Sequence, residues 1–96
     1  MDKLRSFDGL QVGDVVTRIS VKHGITQFEF LGFDPKLKGE LRKLYGYFLE
    51  SFGRTQVERW HASALQGRHY YRGYDRPHAV AIACDLLQER IDSLSK

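Results

Sequence analysis

The sequence predicts an α+β fold that consists mainly of antiparallel strands and ends in one amphipathic helix. β-Branched residues recur at every second position from Val15 to Val21, which is the period of a half-buried strand. A second segment rich in strand-forming residues follows a Lys22-His23-Gly24 turn. Near the C-terminus, Asp75 and Pro77 precede an apolar pattern with helical period. These three observations predict the fold class.

The first two strands are predicted to form a hairpin. Residues 1–11 precede it as an irregular lead-in that contains an Asp-Gly turn signal. The strands cover residues 15–21 and 25–33. Asp34-Pro35 ends the second strand, because proline cannot donate a hydrogen bond to a neighbouring strand.

Residues 36–66 fit two interpretations. As helices, they place apolar side chains on one stripe behind a cap at Asp34. As strands, residues 44–50 pair with residues 55–62 across a turn at 51–54. Gly46 in the interior of a helix would destabilise that helix by about 1 kcal/mol relative to alanine. Aromatic residues cluster around Gly46, and such residues are enriched in strands. We therefore favour strands, and the alternative fold is a β-hairpin followed by three helices.

The C-terminal part is predicted to contain a short strand at residues 68–72 and a helix at residues 75–94. One side of this helix is apolar and is formed by Val80, Ala83, Cys84, Leu87, Ile91 and Leu94. Ile82 and Leu86 lie beside this stripe and widen the apolar surface. We expect the helix either to lie in a groove of its own domain or to pack on the sheet with one side and form a homodimer with the other. Cys84 is expected to be a buried, inert thiol.

Length and composition indicate one domain. The chain has 96 residues, of which 42% are hydrophobic and 28% charged, as in an ordinary globular domain. We assign residues 1–96 to a single domain, with a β part at 12–74 and the helix at 75–94. The first 20 residues contain three aspartates and no long apolar run, so we expect no signal peptide and a cytoplasmic protein.

Several short segments resemble an SH3-like barrel. The order of four β segments, a one-turn helix at residues 63–65 and a short strand is that of such a barrel. Gly-Asp-Val-Val at 13–16 resembles the opening of many SH3-like barrels. Gly-Tyr-Phe-Leu-Glu-Ser at 46–51 and Ala-Ser-Ala-Leu at 62–65 are similar to segments of the plasmid-borne type II dihydrofolate reductases, which are small SH3-like barrels.

The resemblance covers about residues 12–66 and implies the fold alone. The reductases bind folate and a nicotinamide cofactor through a Val-Gln-Ile-Tyr strand. The matching residues here are Val57-Glu58-Arg59-Trp60, of which only the valine agrees. We therefore do not expect reductase activity or a cofactor.

Positive charge is concentrated in the middle of the chain. Residues 36–76 carry nine basic and four acidic residues, whereas the segments on either side have a net charge of −1 each. Within this region, arginines alternate with tyrosines between residues 68 and 76. Arginine contacts phosphates and tyrosine stacks on unpaired bases. The pattern therefore predicts a nucleic-acid site, whose possible ligands include single strands. The predicted site residues are Arg59, Arg68, Tyr70, Tyr71, Arg72, Tyr74 and Arg76.

Two further functions also fit the residues of this region. The same tyrosines and arginines are typical of protein-binding surfaces, so a protein–protein interaction adaptor for an acidic or peptide partner is the alternative function. An RNA-cleaving enzyme is the third, with His61, His69 or His78 as acid or base. No pair of histidines has the spacing of a metal site and the chain has one cysteine, so we expect no metal and no catalytic residues.

Overall fold

Six antiparallel strands form one sheet, and a long helix packs against it. The computed structural model describes residues 1–51 and 56–95. The strands are β1 (Asp2–Lys3), β2 (Val15–Ser20), β3 (Gly24–Phe33), β4 (Tyr45–Glu50), β5 (Val57–His61) and β6 (His69–Arg72). Two 3₁₀ helices cover Gly39–Leu44 and Ala62–Leu65, and helix α1 covers Arg76–Leu94. The strand order is β1-β6-β2-β3-β4-β5, which confirms the α+β class.

The strand interpretation of the middle segment is confirmed. β2 and β3 form the predicted hairpin, from the Val15↔Glu29 pair to the Ser20↔Gly24 pair. β4 pairs with β3 on one side and with β5 on the other. The alternative with three helices is therefore wrong. Most of the predicted turn at 51–54 lies outside the described residues.

The sheet carries a hydrophobic cluster on each face. The first cluster contains Leu4, Phe7, Leu10, Val16, Phe28, Phe30, Phe48, Trp60, Leu65 and Tyr70. The second lies between the sheet and α1 and is built on Ile19, Tyr71 and Ala79. Neighbouring residues on one strand point to opposite faces, so Tyr70 enters the first cluster and Tyr71 the second.

Aromatic rings hold the first cluster together. Trp60 stacks on Phe48 with ring centroids 3.9 Å apart and meets the edge of Phe28 at 4.7 Å. It also contacts Tyr70 at 5.2 Å, although β5 and β6 are not neighbours in the sheet. The sheet must therefore curve strongly, because only curvature brings these two strands together.

Strand pairing does not close the sheet into a barrel. β1 and β5 are its two edges. The small closed barrel expected from the sequence is therefore not confirmed, while the antiparallel sheet and the C-terminal helix are. β1 lies in the segment predicted to be irregular, and it pairs with β6 through Asp2↔Arg72 and Lys3↔Tyr71.

Helix α1 begins as predicted, but it packs on the sheet with a different face from the predicted apolar stripe. The Asp75 side chain accepts a hydrogen bond from the His78 N–H at 3.2 Å, and Pro77 lies in the first turn. The residues that pack on the sheet are Ala79, Ile82, Ala83 and Leu86. Apart from Ala83, the predicted apolar stripe is exposed, and Cys84 is exposed rather than buried. No helix in the described ranges is long and apolar enough to cross a membrane.

Gly46 makes room for the aromatic cluster, which predicts a stability effect. A Cβ at Gly46 would lie 3.0 Å from Phe30 and 3.1 Å from Phe48, and both rings are fully buried. We expect Gly46→Ala to lower the free energy of unfolding by about 1–3 kcal/mol through overpacking. Urea denaturation followed by circular dichroism measures this change. Val57→Thr, at an exposed position of the adjacent β5, is the control and should change stability by less than about 0.5 kcal/mol. Equal effects of the two variants would contradict the packing argument.

Candidate functional site

Two of the predicted site tyrosines are part of the hydrophobic core. Tyr70 is 3% exposed and Tyr71 is 9% exposed. Burial raises the pKa of the Tyr71 hydroxyl, which lies 3.1 Å from Nδ1 of His69. Neither ring presents a free face on which a base could stack. Alternation along β6 sends one ring into each cluster, so both tyrosines have a structural role in the core, and Tyr70 also lines a cleft beside β6.

Two of the predicted arginines are held by carboxylates of the same chain. Nη2 of Arg72 lies 2.8 Å from Oδ2 of Asp14 and also donates to the Gly9 carbonyl at 2.8 Å. Nη2 of Arg59 lies 2.9 Å from Oδ2 of Asp34. These pairs fasten surface segments to the sheet, and they use part of the charge that the sequence assigned to a ligand.

Asp34 is the most constrained of these carboxylates. It is 4% exposed, and its Oδ1 accepts a hydrogen bond from the Lys36 backbone N–H at 3.0 Å. That hydrogen bond, together with the Arg59 guanidinium, lowers the pKa of the carboxyl below its ordinary value of 3.8, against the opposing effect of burial. Asp34 thus ends β3 with a fixed negative charge on which Arg59 is anchored.

The remaining predicted residues lie at opposite ends of β6. Arg68 precedes the strand, whereas Tyr74 and Arg76 follow it and lead into α1. Four residue steps of extended chain separate Arg68 from Arg72, which corresponds to roughly 13 Å. Tyr74 is 37% exposed and Arg76 is also exposed. The structure therefore does not bring the seven predicted residues together into one site.

Arg68 lines the first of two clefts with basic linings, which we call the Gly67 clefts because Gly67 lines both. The first has a volume of about 410 Å³ and lies where β2, β6 and Leu86 of α1 meet. Its basic lining residues are Arg18, His23, Arg68 and His69. The second, of about 400 Å³, is lined by Lys3, Arg5, Leu65, Gln66 and Gly67. None of the described residues that line either cleft is acidic.

Arg18 is held in this region by the core itself. It lies on the same face of β2 as Val16, and its Cζ is 4.8 Å from the centroid of the Phe28 ring. Its Nε is buried and has no hydrogen-bond partner among the described residues. Arg18 also borders a third cleft whose lining includes Glu50 and Glu58. Arg18 therefore separates a basic region from a mixed-charge region.

A second polar surface lies on the outer face of β4 and β5. Tyr47 pairs with Arg59 and Tyr45 with His61 across the two strands. The Arg59 Cζ lies 3.9 Å from the centroid of the Tyr45 ring, which also meets the edge of the His61 ring at 4.8 Å. This surface was not predicted from the sequence; the signal that could have found it is the alternation of Tyr45, Gly46 and Tyr47, since strand period two places both tyrosines on one face.

His61 has a local structural role beside this surface. Its Nδ1 accepts a hydrogen bond from the Ser63 N–H at 3.0 Å and lies 2.8 Å from the Ser63 Oγ. The pair caps the 3₁₀ helix at Ala62–Leu65. Among residues 1–51 and 56–95, no group of three or more histidine, cysteine or acidic side chains could hold a metal ion.

The sequence did not predict the contribution of Lys3, Arg5, Arg18 and His23 to the Gly67 clefts. Lys3 and Arg5 reach the second cleft because β1 pairs with β6, and a two-residue strand leaves no periodic signal. Arg18 lies at a polar position of the strand predicted over residues 15–21, and strand alternation carries no sign of a ligand contact. Comparison of the chain with protein-family models, curated proteins and solved structures found no match.

The Asp34–Arg59 pair predicts a pH-dependent contribution to stability. Because the folded pKa of Asp34 is lowered, its contribution is complete above the unfolded value near 3.8 and is lost as the pH falls through the folded value. Asp34→Asn keeps an acceptor for Lys36 but removes the charge. We expect it to lower the urea midpoint at about pH 7, and the difference from the native protein should shrink toward about pH 2.5. Asp85→Asn, at an exposed position of α1, should leave the urea midpoint unchanged at both pH values. A difference that stays constant with pH would contradict the charge pairing.

Proposed function

We propose that this protein is a non-catalytic module that binds single-stranded nucleic acid through the Gly67 clefts. One observation carries the proposal: among the described residues, six basic side chains and no acidic one line two clefts that share Gly67. Four of them are permanently charged, namely Lys3, Arg5, Arg18 and Arg68. Such a surface attracts a polyanion, because binding releases the cations condensed on its phosphates.

The shape of the region supports a strand that crosses from one cleft to the other. Gly67 lies between them, and a Cβ placed on it would meet nothing within 4 Å. A phosphate backbone can therefore approach the turn closely at this point. The basic residues on both sides would contact successive phosphates of the same strand.

The composition of the first cleft supports an unpaired base as its occupant. Ile19, Val21 and Leu86 give it an apolar lining, and the His69 ring adds an aromatic surface. Its volume of about 410 Å³ lies within the range of small-molecule sites. A base can enter such a concave site only when it is not paired in a duplex, which favours single strands over double strands.

We also infer that the fold is a variant of the SH3-like barrel. The order β6-β2-β3-β4-β5, with a 3₁₀ helix between β5 and β6, follows the element order expected from the resemblance. The contact between Trp60 and Tyr70 supports the inference, since it brings two strands that do not pair into ring contact. This inference concerns architecture and does not extend to the activity of any SH3-like family.

The proposed site is tested with a labelled oligothymidylate of about 12 nucleotides. Anisotropy titrations between about 50 and 200 mM salt should give a logarithmic slope of about −0.7 for each phosphate neutralised. We expect Arg5→Ala/Arg68→Ala to weaken binding by at least about tenfold and to make the slope shallower by about 1.4. Arg42→Ala/Lys43→Ala removes the same charge from exposed positions that line neither cleft and should weaken binding much less. Equal losses in the two variants, or no binding by the native protein at about 50 mM salt, would overturn the proposal.

Protein binding through the outer face of β4 and β5 is the second candidate function. The observation that favours it is the exposed Arg59 side chain over the Tyr45 ring, next to Tyr47 and His61. Tyrosine and arginine are enriched among residues that contribute most to protein interfaces. A peptide docked on these rings would show little salt dependence, in contrast to a polyanion.

The two surfaces can be separated with a variant of the tyrosines. Tyr45→Leu/Tyr47→Leu removes the flat rings but keeps apolar side chains on β4. If the Gly67 clefts are the nucleic-acid site, this variant should bind the oligothymidylate within about twofold of the native protein. A loss of tenfold or more, with an unchanged circular dichroism spectrum, would assign nucleic-acid binding to the β4–β5 face instead.

A further inference from the structure

Helix α1 has two apolar stripes, and the sheet covers only one of them. Ala79, Ile82, Ala83 and Leu86 face the second hydrophobic cluster. A second stripe, roughly a third of a turn around the helix, is exposed. It consists of Val80, Cys84, Leu87, Ile91 and Leu94, and its large members are between 45% and 73% exposed. We call these five residues the α1 seam.

The spacing of the α1 seam is that of a coiled coil. The five positions follow one another at intervals of four, three, four and three residues. This repeat of seven places Cys84 and Ile91 at a positions, and Val80, Leu87 and Leu94 at d positions. A helix buries such a stripe most completely against another helix with the same repeat, because each side chain then fits between four residues of the facing helix.

The C-terminal half of α1 has no packing partner of its own. Every residue from Leu87 to Leu94 is exposed. Helices shorter than about 12–15 residues are marginally stable in water, and tertiary packing of an apolar face normally stabilises them. The last turns of α1 therefore lack tertiary packing and carry an exposed apolar stripe that could provide it.

We propose that the α1 seam binds a second copy of this chain in a parallel, two-stranded coiled coil. A copy offers the matching repeat in the same length of helix. The combination of Ile91 at a with Leu87 and Leu94 at d is the one that favours parallel two-stranded pairing.

Charges along the seam are compatible with this occupant. The flanking e and g positions hold Ala81, Ala83, Gln88, Arg90 and Ser95, so Arg90 is the one charged residue among them. In the parallel arrangement, Arg90 faces Ser95 of the other copy, and no like charges meet. In an antiparallel arrangement, the exposed C-terminal halves of the two α1 helices would lie side by side. The Arg90 side chains of both copies would then approach each other. The acidic residues Asp85, Glu89 and Asp92 occupy outer positions in either case.

The size of the seam predicts a reversible dimer. Each copy contributes five side chains that are partly covered already, so the total buried area falls below the roughly 1,200 Å² at which standard interfaces begin. We therefore expect a dissociation constant in the micromolar range and a monomer–dimer equilibrium that depends on concentration.

Analytical ultracentrifugation of the full chain without nucleic acid tests the dimer independently of the proposed function. Between about 1 and 200 µM, the weight-average mass should rise from that of one chain toward that of two. Leu87→Gln/Ile91→Gln should remain monomeric over this range with an unchanged helix content by circular dichroism. The control, Asp85→Asn/Glu89→Gln on the outer face, should dimerise at least as tightly as the native protein. A native protein that stays monomeric, or a seam variant that still dimerises, would overturn the proposal.

Cys84 tests the parallel orientation. In the parallel arrangement the Cys84 residues of two copies share one layer, where their Cα atoms come close enough for a disulfide. Mild oxidation at about 100 µM should therefore yield a cross-linked dimer that a thiol reductant reverses, and Leu87→Gln/Ile91→Gln should lower its yield at least about fivefold. A dimer by mass that does not cross-link, or equal yields from both proteins, would overturn the parallel arrangement.

Discussion

The stack of Trp60 on Phe48 is the contact on which the rest of the structure depends. It joins β4 to β5, and the further contacts of Trp60 reach Phe28 on β3 and Tyr70 on β6. These contacts require a strongly curved sheet, and the absence of a side chain at Gly46 leaves space for the rings. The curvature sets the position of β6 and therefore the position of the Gly67 clefts at its beginning. The polar surface is thus placed by an apolar cluster in which it takes no part.

β6 shows how the core limits the residues that remain available to a ligand. Both faces of this strand are buried, so both of its tyrosines are used in packing. Charged residues are confined to its two ends, with Arg68 at one and Arg72 at the other. Arg72 is paired with Asp14 there, while Arg68 has no carboxylate within ion-pair distance among the described residues. A ligand phosphate that binds Arg72 would have to break this pair and would leave the Asp14 carboxylate without its partner, whereas Arg68 has no such pair to break among the described residues.

Local signals predicted most of the elements, whereas the site depends on contacts distant in sequence. Alternation between Val15 and Val21 and the caps at Asp75 and Pro77 predicted the first hairpin and the helix start, because these features act within a few residues. Gly46 and its aromatic neighbours likewise favoured strands over helices. The Arg59–Asp34 and Arg72–Asp14 pairs join residues 25 and 58 positions apart, and no spacing rule reports such contacts. Lys3 and Arg5 reached the candidate site only through β1, whose two residues are too few for a period.

The helix shows why an apolar pattern alone does not identify the buried face. Helix α1 carries apolar residues on two adjoining stripes. The α1 seam, which has coiled-coil spacing, is the more regular of the two in sequence. The sheet selects the other stripe because small residues at Ala79 and Ala83 allow the helix axis to approach β2 and β3 closely, with Ile82 and Leu86 filling the space beside them. The regular stripe, with its larger side chains, would hold the helix farther from the sheet. Side-chain size therefore decides which face of α1 packs on the sheet, and the regularly spaced stripe stays exposed.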